Sequence, residues 1–189
     1  MKQTLDEPLK VLLIGSGLWY LGEGMFGPLL AVFTERLGGD ILEITWAWAA
    51  YLLTAGILTI LFGRISDKIG KERLMISGYA VNALFTFGYL LVDSPSKLFF
   101  VQIGLGLATA LATPTWDALY ARFEDKKYDG EEWGVADGMP HIVTGIAVII
   151  GGLLLIYTSF TTLFVIMGCI QIVATLYQAR IIKMKHYKK

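Results

Sequence analysis

Apolar residues along this chain are gathered into six long blocks, which are separated by short segments that carry most of the charge. Each block reaches the roughly 20 residues that an α-helix needs to cross a bilayer. The blocks are too long for strands and lack the alternation of strands. The pattern predicts an all-α integral membrane protein with six transmembrane helices in one domain. The predicted spans are residues 9–33, 44–62, 74–92, 98–120, 135–157 and 163–182 of the chain 1–189.

Basic residues are distributed very unevenly among the connecting segments. If the chain starts in the cytoplasm, 14 of its 16 lysines and arginines lie on the cytoplasmic side, and only Arg36 and Lys97 lie outside. Cytoplasmic loops carry such an excess, so we expect N- and C-termini that are both cytoplasmic. The first apolar run is too long for a signal peptide and is expected to stay as the first span. We expect a multi-pass protein of the cell membrane, whose basic tail 183–189 can attract lipid headgroups.

Composition narrows the chemistry further. The chain is 55% hydrophobic and 17% charged, whereas a soluble domain has about 25% charged residues. One cysteine, Cys169, and two histidines form no recognisable metal or nucleophile constellation. The glycine pair at 104–106 lies inside a predicted span, without the preceding strand of a dinucleotide site. We expect no enzymatic activity, no cofactor, no metal and no nucleic-acid partner.

The segment between the second and third predicted spans combines glycines with charges. Gly63 and Gly70 would permit a sharp reversal with close packing at the membrane surface. Asp67 stands among basic residues that include Lys68 and Lys71. A carboxylate there can pair locally or stabilise a nearby helix N-terminus. This spacing is unlike an ordinary charged turn.

The segment resembles the signature of the major facilitator superfamily, although Glu72 replaces its second base. Segments 22–28 and 104–106, together with Pro114, extend the resemblance along the chain. The matching residues are Gly63, Asp67, Lys68, Gly70, Lys71 and Met75.

The resemblance implies a fold and an assembly. Members of the family have two six-helix halves, and each half is a 3+3 inverted repeat. This chain would supply one half, and a second copy inserted in parallel would complete the pair as a homodimer. The implied function is secondary active transport of a small solute by alternating access. The implied gating motif is Gly63, Asp67, Lys68, Gly70 and Lys71 with Asp117, in which Asp117 pairs with Lys71 and Asp67 faces residues 133–137 of the partner.

Glu23 is the most unusual polar residue inside a predicted span. It follows Lys10 by about 13 residues, so it lies near the middle of the membrane. An ionisable residue at that depth is a functional candidate by default, and we predict proton coupling through it, with Trp19 on the same helix face. The alternative is a neutral glutamate bonded to a neighbouring helix. Asn82 and Gln171 are expected only to bond their neighbours.

Further candidates lie on three other spans. Tyr51 would contribute aromatic surface, and His141 is a candidate proton carrier, although a lone histidine often serves packing alone. The fourth span predicts a cavity wall along one stripe, formed by Gln102, Gly106, Thr109, Thr113 and Asp117.

Two alternatives to a homodimeric transporter stay open on the sequence alone. The chain could be a membrane scaffold or interaction subunit that transports nothing. It could also be one half of a split twelve-helix transporter, whose partner is a different six-helix half.

Overall fold

The computed structural model describes residues 5–184, except for the side chain of Asp67. Seven α-helices and two short 3₁₀ segments, Tyr89–Leu91 and Ala179–Met184, account for most of these residues. The helices are α1 (Glu7–Gly24), α2 (Leu29–Arg36), α3 (Ile41–Ile69), α4 (Lys71–Gly88), α5 (Pro95–Phe123), α6 (Asp129–Tyr157) and α7 (Phe160–Gln178).

Within the described residues, five segments are helical, long and apolar enough to cross a membrane. They are Ile41–Ser66, Lys71–Leu91, Pro95–Phe123, Asp129–Tyr157 and Phe160–Met184. The prediction of an all-α membrane protein is confirmed at this level. Each of the last five predicted spans coincides with one of these segments.

The first predicted span is broken, so the expectation of one continuous helix over 9–33 is wrong. Helix α1 ends at Gly24 and α2 begins at Leu29. Pro28 has no N–H to donate, and its ring would clash with the carbonyl of Gly24 in a continuous helix. Short turns replace the helical bonds, such as Leu29 N–H to the Phe26 carbonyl at 2.8 Å.

The prediction of a reversal at both Gly63 and Gly70 is half wrong. Helix α3 continues through Gly63 to Ile69, and a Cβ added at Gly63 would meet no atom within 4 Å. Only Gly70 turns the chain, with a φ of 101° that side chains other than glycine rarely adopt. Helix α4 begins at the next residue, Lys71.

The connection between α5 and α6 is also shorter than the interval between the predicted spans 98–120 and 135–157. Helix α5 runs to Phe123, and α6 begins at Asp129. The first turn of α6 contains acidic residues, which interact favourably with the helix N-terminus. Polar contacts tie the two helices together: Tyr120 donates to the Glu132 carbonyl at 2.6 Å, and the Trp133 indole donates to Glu124.

The helices pack in the order α3, α5, α4, α7, α1 and α6, so that α3 and α6 stand at the two ends of the series. The segment 179–184 contacts α1, which brings both described chain ends to one face of the bundle. The opposite face is filled by a cluster of aromatic rings. It consists of Phe26, Phe33, Tyr89, Phe160 and Phe164.

Candidate functional site

A cavity of about 780 Å³ lies among α1, α3, α4, α5 and α6. It is comparable with the roughly 300–1,000 Å³ of small-molecule sites. Its lining comprises Ser16, Trp19, Tyr20, Tyr51, Tyr79, Thr109, Ala112, Thr113, Trp116, Asp117, Ala136, Asp137, Pro140, His141, Thr144 and Gly145.

The cavity extends from the middle of the bundle toward the face that carries the chain ends. Asp117 lies six residues before the end of α5 at Phe123, and Asp137 lies eight residues after the start of α6 at Asp129. At 1.5 Å per residue, both carboxylates are about 10 Å from that end of their helices. The aromatic cluster lies at the other face.

The charge in the cavity is acidic. Asp117 and Asp137 come from different helices and are near enough for their charges to interact with each other and with the Tyr20 hydroxyl. Neither carboxylate has a hydrogen bond or an ion pair with any side chain that the structure describes, and no lysine or arginine appears among the described lining residues. Since Pro140 has no N–H, it also leaves the Ala136 carbonyl without its usual helical donor.

Aromatic side chains form much of the remaining wall. The rings of Trp19 and Tyr79 meet edge to face, with centroids 4.7 Å apart. The Tyr51 hydroxyl lies 3.2 Å from Thr109 Oγ1, so one hydrogen bond joins α3 to α5 at the deep end of the cavity. The Trp116 indole donates to the Leu12 carbonyl at 3.2 Å. These contacts link the helices that surround the cavity.

Glu23 lies outside the lining of this cavity. Its Oε1 atom accepts hydrogen bonds from Asn82 Nδ2 at 2.9 Å and from Gln171 Nε2 at 3.4 Å. Its Oε2 atom accepts none from the described residues. Gln171 also donates to the Trp19 carbonyl at 3.0 Å. The carboxylate therefore joins α1 to α4 and α7.

The structure brings most of the sequence-predicted site residues together. Trp19, Tyr51, Thr109, Thr113, His141 and Asp117 all line the cavity.

Gln102 is an exception, because it is only 3% exposed and does not reach the cavity. Helix α3 approaches α5 so closely at Gly106 that an added Cβ would stand 2.7 Å from the Tyr51 carbonyl oxygen. The predicted stripe therefore lines the cavity only from Thr109 onward.

Sequence reasoning missed Tyr20, Tyr79, Trp116 and Asp137 as cavity residues. Asp137 carried a usable signal, because it is a carboxylate inside an apolar block. The aromatic residues carried none, since aromatic side chains also occur throughout the core of this chain.

The predicted gating residues lie near the same end of the bundle. Gly63 and Lys68 are in the last turns of α3, Gly70 forms the turn, and Lys71 starts α4. The Asp67 side chain is outside the described residues.

Asp117 does not pair with Lys71, because it faces the cavity. Instead, Arg122 of α5 pairs with Glu72 of α4 at 3.3 Å, and the Glu72 side chain is only 7% exposed. Asp117 and Arg122 are five positions apart, so they point about 140° away from each other around α5.

Comparison of the sequence with known proteins assigns this chain to a family. The family model described as Major Facilitator Superfamily matches residues 12–186. The "Uncharacterized MFS-type transporter MJ1560" of Methanocaldococcus jannaschii is 27% identical over 150 residues, which cover 79% of this chain and 39% of the relative. The "Multidrug resistance protein MdtG" of Erwinia billingiae is 21% identical over 180 residues, which cover 92% of this chain and 44% of the relative.

A third relative, the "Chloramphenicol resistance protein CraA" of Acinetobacter baumannii, is 31% identical over 117 residues, which cover 59% of this chain and 27% of the relative. The chain thus spans less than half the length of these curated relatives. The first of these relatives is named as a transporter, and the other two are named as resistance proteins. Because the family model covers nearly the whole chain, the resemblance predicted from residues 63–75 is confirmed, and the chain belongs to the major facilitator superfamily.

Proposed function

We propose that this chain is a secondary active transporter of a small solute, which works by alternating access. The observation that carries the proposal is the cavity of about 780 Å³, lined by acidic and aromatic side chains and reaching the middle of the apolar helices. Binding sites of such transporters lie near the bilayer midplane, between helices. The names of two relatives, a multidrug and a chloramphenicol resistance protein, favour a drug-like solute.

The proposed topology has six spans, in which α1 and α2 together form the first. Both termini would be cytoplasmic, in the cell membrane, as the excess of basic residues indicates. The packing order supports a 3+3 repeat. If the first three spans are exchanged for the last three, the contact of α3 with α5 corresponds to the contact of α6 with α1. In the same way, the contact of α4 with α5 corresponds to the contact of α7 with α1.

A second six-helix unit would complete the transporter, and a parallel homodimer is our leading assembly. Helices α3 and α6 flank the cavity at the ends of the packing series and expose long apolar faces. Along these two helices, an added Cβ would meet no atom within 4 Å at Gly56, Gly63, Gly134, Gly138, Gly145 and Gly152. Small residues let helix backbones approach each other in a membrane.

Glu23 is our candidate for proton coupling, although it lies outside the cavity lining. It is close enough to Tyr51, at the deep end of the cavity, for electrostatic interaction. Its Oε2 atom has no donor among the described residues, so the carboxyl group can take up a proton without breaking its bonds to α4 and α7. Occupation of the cavity and protonation of Glu23 would then be coupled through Tyr51.

The alternatives to this assembly are a scaffold that transports nothing and one half of a split twelve-helix transporter. Crosslinking separates a homodimer from either alternative. We expect Gly63→Cys and Gly134→Cys, combined in a Cys169→Ala background, to form covalent dimers in vesicles. Crosslinking only to a different protein would identify a split transporter.

Transport itself is tested with the full chain in proteoliposomes that enclose a pH-sensitive dye. We expect a panel of drug-like solutes to include members that move protons when added against an imposed pH gradient. Glu23→Gln should abolish the proton movement. Glu131→Gln, which neutralises an exposed carboxylate at the start of α6, should leave it unchanged. Absence of any solute-dependent flux in the wild type would refute transport and favour a scaffold.

A further inference from the structure

The structure carries an inference about the solute, which rests on the proposed function and deepens it. We propose that the cavity selects organic cations with aromatic substituents, and that Tyr20, Asp117 and Asp137 hold the cationic centre. These three residues come from α1, α5 and α6, so the site forms only when the three helices are packed together.

The charge of the cavity carries the first step. Asp117 and Asp137 point into one cavity and repel each other, and neither has a hydrogen-bonding or ionic partner in the described part of the chain. No described lysine or arginine of the lining neutralises them. A cation between the two carboxylates would remove this repulsion, and water would screen part of its attraction because both side chains are exposed. An anion would meet two like charges.

The aromatic wall carries the second step. Tyr20 lines the same cavity as both carboxylates, and its hydroxyl is near enough for their charges to act on it. Trp19 and Trp116 line the same cavity. An aromatic face attracts a cation within about 6 Å, and apolar substituents of the ligand would pack against the other rings.

The chemistry of the lining distinguishes an organic cation from a metal ion. Hard metal ions such as Ca²⁺ take about 6–8 oxygen ligands, whereas the cavity offers two carboxylates amid rings and hydroxyls. Among the described residues, no group of three or more histidine, cysteine or acidic side chains could hold a metal ion. The volume of about 780 Å³ also suits a drug-sized molecule rather than a bare ion.

The test uses two ions of nearly equal size and shape and opposite charge, tetraphenylphosphonium and tetraphenylborate. Their binding to the purified full-length protein is measured in detergent by equilibrium dialysis. We expect saturable binding of the phosphonium and none of the borate. Asp117→Asn or Asp137→Asn should each weaken phosphonium binding about tenfold, the scale of one charge contact in a partly screened site.

Three further variants separate the site from general effects. Glu131→Gln removes an equal charge from α6 outside the cavity and should leave binding unchanged. Tyr20→Phe keeps the aromatic ring and Tyr20→Leu removes it, so Tyr20→Leu should bind the phosphonium several-fold more weakly than Tyr20→Phe. Asp137→Lys should abolish phosphonium binding, because the lysine would pair with Asp117 where the cation would otherwise stand.

The outcomes distinguish this inference from the proposed function. Equal binding of both ions, or binding that is insensitive to Asp117→Asn and Asp137→Asn, would overturn the inference. If such a protein still moved other solutes in proteoliposomes, the transport proposal would stand. Charge-selective phosphonium binding without any flux would support the cation site and refute transport.

Discussion

Gly151 offers the sharpest test of how the bundle is packed. It lies on α6 opposite the break in the first span, where a Cβ would stand 2.0 Å from the Met25 carbonyl oxygen and 2.7 Å from its carbonyl carbon. Both are backbone atoms, which cannot rotate away. Overpacking costs about 1–3 kcal/mol, and replacing glycine by alanine in a helix returns about 0.5–1 kcal/mol. With an overlap this large, we expect Gly151→Ala to lower the free energy of unfolding by about 2 kcal/mol.

The adjacent residue provides the control. A Cβ at Gly152 would meet no atom within 4 Å, so Gly152→Ala should leave the free energy of unfolding unchanged or raise it slightly. Both variants are unfolded by titration with sodium dodecyl sulfate and followed by tryptophan fluorescence. Keeping less than one copy per micelle removes any contribution from contacts between copies. Equal midpoints for Gly151→Ala, Gly152→Ala and the wild type would refute the packing of α6 on the break.

Two other contacts make predictions for the same assay. Arg122→Glu should lower the free energy of unfolding by about 1–2 kcal/mol, because it places a second acid beside the buried Glu72. The loss is not larger because solvent screens the half-exposed position 122. The double variant Glu72→Arg with Arg122→Glu should recover at least half of that loss, and no recovery would contradict the pairing. Asn82→Leu removes the 2.9 Å hydrogen bond to Glu23 and should cost about 1 kcal/mol. An unchanged midpoint would mean that this bond contributes nothing to stability.

Much of the helical framework could be predicted from hydropathy, because each apolar block must satisfy its backbone groups internally inside a membrane. A hydropathy average over about 20 residues, however, does not register a single proline. It therefore predicted no break at Pro28, where the first span is interrupted. Helix α3 extends to Ile69 and α6 begins at Asp129, both beyond the predicted spans. The added turns contain charged residues, which can continue a helix outside the membrane.

The site was predictable only where one helix contained several of its residues. The stripe on α5, which follows from helical periodicity alone, includes Thr109, Thr113 and Asp117, and these three residues line the cavity. The partners of Glu23 are separated from it by 59 and 148 residues along the chain, and no local pattern connects them.

The single residue between α3 and α4 limits how the entrance to the cavity can change. Gly70 alone joins these helices, so the end of α3 cannot shift without carrying α4 along. Helix α6, on the other side of the cavity, is connected to α5 by the five residues 124–128 and by exchangeable polar contacts such as that from Trp133 to Glu124. Of the two helices that flank the cavity, α6 therefore has the longer connecting segment at this end. Opening or narrowing of the entrance would be produced mainly by a tilt of α6, while α3 stays in place.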